Sequence, residues 1–175
     1  MQNKKSLLKI TYTAIFTALI LLATSVLKFS TGLGEGYIHL GDSIIYLTAC
    51  VLPLPYCLIA GALGGALADI VSGFAIWSIP TMIIKMLNVL PFALVCKNCK
   101  SKNILSKQTS LMTVVSGLVT IVGYFIAECV LYSVASATLS LIGNTIQAVA
   151  SGIIFVIIAK ATDKINLKSK LSKGA

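Results

Sequence analysis

Residues 43–72, SIIYLTACVLPLPYCLIAGALGGALADIVS, decide how this chain is folded. Read as one apolar segment they give five crossings of a bilayer, and read as two they give six. Pro53 and Pro55 argue for two, because proline removes a backbone donor and disfavours helix in the residue before it. Composition says why crossings are the question at all. The chain has 175 residues, 57% of them hydrophobic and only 11% charged, with a mean hydropathy of +0.97, whereas soluble domains carry about a quarter charged residues. A hydrocarbon layer about 30 Å thick takes about 20 apolar residues per helix, so the length suffices for six short spans and no separate soluble domain.

The basic residues test the count. All 14 are lysine, and they cluster: Lys4, Lys5 and Lys9 precede the first apolar run, Lys97, Lys100, Lys102 and Lys107 fill one loop, and Lys160, Lys164, Lys168, Lys170 and Lys173 follow the last run. The positive-inside rule places all three clusters in the cytoplasm, so an even number of spans separates each pair. Spans at about 7–28, 43–54, 56–72, 79–96, 109–134 and 138–161 satisfy this, with the short second span tilted or enclosed by its neighbours. Fusing 43–72 would put a four-lysine loop outside. The expected fold is therefore an all-α integral membrane protein: one six-helix domain over 1–175, multi-pass in the bacterial plasma membrane, with N-in and C-in topology. The last turn falls in SVASATLS, 133–140. The net charge of +9 sits at span ends, which suits orientation and contact with anionic membrane lipids, not nucleic acid. The run 10–27 is longer than a signal-peptide core and no A-x-A site follows it, so it reads as an uncleaved first span.

On this topology most of the scarce polar chemistry gathers on the outer side. GEGYIHLGDSI, 34–44, holds Glu35, the single histidine His39, and Asp42 in a glycine-flanked loop. Asp42 reads equally as a helix N-cap and as a ligand contact, and His39 equally as a solvated residue and as a contact. Three helices then each supply a polar stripe at helical spacing: Thr81, Lys85 and Asn88; Tyr124, Glu128 and Tyr132; Ser140, Asn144, Gln147 and Ser151. Charge inside a membrane is costly and normally faces a bundle interior or a cavity, so the stripes point to a pocket, capped by the 29–42 loop and Trp77. The candidate substrate-binding residues are Glu35, His39, Trp77, Lys85, Asn88, Tyr124, Glu128, Tyr132, Asn144 and Gln147. Aromatic faces with a few amide, ammonium and carboxylate groups suit a small polar heterocycle. The competing reading pairs Lys85 with Glu128 and uses Asn144 and Gln147 as interhelical hydrogen bonds.

Several functions are excluded. No G-x-x-x-x-G-K-[ST] loop is present, so the chain is not expected to hydrolyse ATP. A single histidine and the absence of H-E-x-x-H or a serine elbow rule out a metalloprotease or a triad, and an enzyme is not expected. The five cysteines, Cys50, Cys57, Cys96, Cys99 and Cys129, include one C-x-x-C, CKNC at 96–99, with no second ligand pair at zinc-site spacing. Reduced thiols, no metal and no cofactor are expected. Ala14-x-x-x-Ala18 and Gly61-x-x-x-Gly65 are small-residue pairs one turn apart, suited to close helix packing within the chain or against a partner.

Taken together, Ala14-x-x-x-Ala18, GYIHLGDSIIYLTACVLPLPY, GALGGALADIVSG, WSIPTMIIKMLN and the basic loop before two last helices resemble the substrate-binding S components of energy-coupling factor (ECF) vitamin transporters, in the riboflavin-type or hydroxymethylpyrimidine/pyridoxine-type branch. The resemblance spans nearly the whole chain and is most specific over 36–88. It implies a bundle of six helices that binds a vitamin near the outer face beneath the loop after the first helix. It also implies docking through Ala14 and Ala18 onto a transmembrane coupling protein that carries two ATPase subunits. The rival readings are a proton-coupled secondary transporter working through Glu128 or Asp69, and a structural membrane subunit without a ligand.

Overall fold

The structure, a computed structural model, describes residues 2–29, 37–98 and 103–174. Glu35, Cys99, Lys100 and Lys102 lie outside them. Six apolar helices follow one another in the expected order: α1 Gln2–Ser25, α2 Gly41–Val51, α3 Leu54–Val71, α4 Ser78–Asn98, α5 Lys107–Leu131 and α6 Val134–Lys164. A short α7, Leu167–Gly174, ends the chain. Five of these helices are long and apolar enough to cross a membrane.

The break in 43–72 falls where proline requires it. Leu52, before Pro53, is extended at φ −102° and ψ 147°, and Pro53 becomes the N-cap of α3. The resulting α2 has 11 residues, about 16 Å of helix and so roughly half a hydrocarbon layer. Nine of its residues are buried on all sides, among them Asp42, Tyr46 and Thr48, so α2 is enclosed by the other helices. Asp42 does not cap it. Leu40 occupies the N-cap position and makes no side-chain bond, while Asp42 stands in the first turn.

The bundle is polar inside and apolar outside. Lys85, Asn88, Thr120, Glu128, Gln147 and Ser151 are buried, whereas Leu19, Leu63, Ile83, Leu118, Ile126, Ile146 and Ile157 are exposed. A water-soluble protein arranges these the other way round. At mid-bundle Tyr46 stacks on Phe92 with centroids 4.7 Å apart, and Phe155 meets both rings edge-on, joining α2, α4 and α6.

Glycines in GALGGALAD are used within the chain. A Cβ on Gly64 would stand 2.7 Å from Ile20 of α1, and one on Gly65 would stand 2.9 Å from the Lys85 side chain of α4. Gly61-x-x-x-Gly65 therefore packs α3 against its own neighbours. Ala14 and Ala18, by contrast, are exposed and line an outward-facing apolar groove between α1 and α3 with Tyr56, Ile59, Leu63 and Leu67.

Two boundaries depart from the sequence reading. The last turn is confined to Tyr132 and Ser133, and α6 begins at Val134 instead of near 138. Ser133 caps α6 by accepting from Ser136 N–H, and Thr138 Oγ1 bonds back to the Val134 carbonyl at 2.8 Å. Hydroxyls that satisfy the backbone locally let a polar stretch remain helical. The helix α7 was read only as a lysine cluster. Its Leu171 packs on the core, and Asp163 just before it accepts the Ile104 and Leu105 N–H groups at 2.6 and 3.0 Å.

Candidate functional site

Helices that alternate in direction bring the C-terminal ends of α3 and α5 beside the N-terminal ends of α4 and α6. Between them opens a cavity with about 550 Å³ of space free of protein atoms, mouth included. Its wall is formed by Tyr37, Ile38 and His39 from the segment before α2, Asp69 of α3, Trp77 of the 3-10 turn Ala75–Trp77, Thr81 of α4, Tyr124 and Glu128 of α5, and Ser140, Gly143, Asn144 and Gln147 of α6. Of the sequence candidates, His39, Trp77, Tyr124, Glu128, Asn144 and Gln147 stand in this wall.

The other candidates lie at different depths. On α4 a rise of 1.5 Å per residue sets Lys85 about 6 Å, and Asn88 about 10 Å, farther in than Thr81. Lys85 Nζ pairs with Asp42 Oδ1 at 2.6 Å, with both side chains fully enclosed, and stands 5.0 Å from the Tyr124 ring centroid. Asn88 donates to Thr120 Oγ1 at 2.8 Å, and Ser116 donates to the Asn88 carbonyl. Tyr132 is 41% exposed and flanks Trp77 with ring centroids 5.9 Å apart, placing it at the rim. Glu35 lies outside the described residues. Glu128 accepts from Ser140 Oγ at 2.7 Å, so the acid and base read as partners each pair elsewhere.

The segment over the cavity is held from both sides. Lys28–Phe29 (β1) and Ile38–His39 (β2) pair as antiparallel strands. Gln147 then joins this segment to the buried ion pair: its Oε1 accepts the His39 N–H at 3.1 Å, and its Nε2 donates to Asp42 Oδ2 at 3.1 Å. His39 Nδ1 accepts the Gly41 N–H at 3.2 Å, which fixes the neutral tautomer with its proton on Nε2. Burial, and secondarily the Lys85 charge, push the His39 pKa down to about 3, against a smaller opposing pull from Asp42. Only glycine fits at 41, where a Cβ would fall 1.9 Å from Thr24 Oγ1.

Tyr37 forms the opposite side. Its hydroxyl donates to Asp69 Oδ1 at 2.7 Å, and its ring contacts Phe74 and His39. Burial, then the Asp69 charge, raise the Tyr37 pKa well above the ordinary phenol value, so it stays a donor. Trp77 packs between Tyr124 and Tyr132, both 5.9 Å away. Thr81 shares a hydrogen bond with Tyr124 at 3.2 Å. No group of three or more histidine, cysteine or acidic side chains placed to hold a metal occurs among the described residues.

Six wall residues were absent from the candidate set: Tyr37, Ile38, Asp69, Thr81, Ser140 and Gly143. Thr81 and Ser140 belong to the polar stripes, and Asp69 is the one acid inside the apolar segment 54–71, so each carried a signal. Tyr37 and Ile38 sit in a loop, where no periodicity marks a facing side.

Helices long and apolar enough to cross a membrane, with an aromatic and acidic cavity at one end of the bundle, are the architecture of a membrane protein with room for a small molecule. The chain belongs to the family described as ECF-type riboflavin transporter, S component, whose model matches residues 4–164. It is also similar to a protein of Pyrococcus woesei described as an uncharacterized protein in gap 3'region, 29% identical over 135 residues that cover 77% of this chain and 87% of that one. As an S component it is a vitamin-binding transporter subunit in a multi-pass membrane setting.

Proposed function

We propose that this chain is one domain that captures a vitamin or vitamin precursor outside the bacterial plasma membrane and delivers it to an ATP-driven importer. The observation that carries this reading is the cavity itself: three aromatic rings and two carboxylates stand together at one end of a bundle whose outer face is apolar. The lysine clusters support a topology with both termini inside and the cavity outside. Riboflavin-like and single-ring pyrimidine or pyridine ligands suit the rings.

No phosphate-binding loop is present, so a partner supplies the energy. The family supports a transmembrane coupling protein with two ATPase subunits. The exposed Ala14 and Ala18, at the floor of the α1–α3 groove, form the docking face in this reading, because small residues let a partner helix approach closely.

The test is to purify the chain alone in mild detergent and identify released small molecules by mass spectrometry. A heterocyclic vitamin at close to one per protein is the expected result. An empty protein that binds no member of a panel of riboflavin, pyridoxine, hydroxymethylpyrimidine and thiamine would refute the capture role.

A further inference from the structure

The cavity occupies one end of the α5–α6 pair, and farther along the same pair, toward its other end, runs an apolar groove with about 830 Å³ of space free of protein atoms, open side included. Gly117 and Gly152 leave its floor without side chains, while the exposed Val114, Leu118, Val149 and Ile153 form its walls. A Cβ on Gly152 would meet Thr113 at 3.4 Å, and one on Gly117 would meet Ala148 at 3.2 Å. These two pairs set the antiparallel register of the helices.

On α5 the groove runs from Ser110 to Ile121, and on α6 from Thr145 to Val156, a rise of about 16 Å on each. A hydrocarbon layer is about 30 Å thick, so the groove is as deep as one leaflet. A partner's membrane-spanning helix would call for a seam across the whole layer. The length suits a lipid tail instead.

Charge selects the kind of lipid. Lys107 precedes Ser110 by three residues and Lys160 follows Val156 by four, so each stands on the groove face of its helix, one turn past the end of the groove. The register sets Lys107 opposite Ile158, so the two lysines differ in depth by only about 3 Å. Both are exposed, and among the described residues the only ion pair joins Lys85 to Asp42. Asp163, the one described acid at this end, has both oxygens engaged by the Ile104 and Leu105 N–H groups. Two lysines without an acid partner, at the end of a leaflet-deep apolar groove, match a negatively charged headgroup joined to a hydrocarbon chain.

We infer that the α5–α6 groove holds one acyl chain of an anionic phospholipid, with the phosphate between Lys107 and Lys160. Bilayer lipids touch every apolar face, but here one is selected by its charge and retained. This site is separate from the cavity and does not depend on the capture reading.

Native mass spectrometry of the purified chain in detergent tests this with dimyristoyl phosphatidylglycerol and dimyristoyl phosphatidylcholine, whose tails are identical. One phosphatidylglycerol per protein is expected to be retained at least fivefold more tightly than phosphatidylcholine. Lys107→Gln combined with Lys160→Gln, both at the surface, should bring that preference to within twofold. Gly152→Leu, whose Cβ makes only ordinary contact with Thr113, fills the floor and should weaken phosphatidylglycerol at least fivefold. Equal retention of the two lipids by the parent chain overturns the inference, and this comparison stands even if the variants fail to fold. A preference that survives the double lysine variant overturns it too, as does phosphatidylglycerol binding untouched by Gly152→Leu, which would leave only headgroup adsorption. A second copy of the chain in the groove, seen as a dimer that Gly152→Leu dissociates, is the remaining contrary result.

Discussion

Gln147 uses both ends of its amide, one on the strand over the cavity and one on Asp42, so its task is to hold the wall in place. The Asp42–Lys85 pair beneath it is fully buried. Removing one member of such a pair typically costs about 3–5 kcal/mol, whereas replacing both is often close to neutral. Lys85→Met alone is therefore expected to lower the melting temperature in detergent sharply, and Lys85→Met combined with Asp42→Asn to recover most of the loss. A double variant no better than the single one would show that the pair is not the unit of stability. His39 sets a pH dependence. It is neutral in the folded chain down to about pH 3, but an unfolded histidine takes up a proton near pH 6.5. Below that value the unfolded state binds a proton that the folded state refuses, so stability is level above pH 6.5 and declines as pH falls toward 3. The expected loss is about 2 kcal/mol at pH 5, measured as melting at pH 5 and 7.5, and it should be absent in His39→Gln. The stripes showed that Lys85 and Gln147 face inward. They carried no information on partners, because Asp42 lies about 100 residues away from Gln147 along the chain and pairs with it only once α2 is enclosed.

Among the elements, α1 presents its alanines outward while α3 turns its glycines inward. The two small-residue motifs therefore do opposite work, a distinction their spacing cannot express. Ala14→Leu with Ala18→Leu fills the groove without touching the core. Uptake by cells is expected to fall to background while the purified variant binds ligand within twofold of the parent. Surviving uptake would move the docking face elsewhere. Helix order and the break at Pro53 were legible because lysine, proline and long apolar runs act locally. The start of α6 was not, since serine and threonine read as a turn until their hydroxyls are seen bonding back to their own helix. The helix α7 was hidden for a related reason: its lysines mask the partly buried Leu171, which packs against the core.

At the scale of the whole molecule, the chain has a binding cavity and no visible engine. Transport is expected to continue when the proton gradient is collapsed with ATP maintained, and to stop when ATP is depleted with the gradient intact. The reverse pattern in vesicles would favour coupling through Asp69 or Glu128. One further property follows from the cavity wall. Trp77 is the only tryptophan of the chain, it is 5% exposed, and it stands between two tyrosines at the site. The indole emission of the protein thus originates entirely at the cavity, with Tyr124 and Tyr132 as energy donors beside it. Occupancy can be followed optically, in real time and without any label, and the light reports that one place alone.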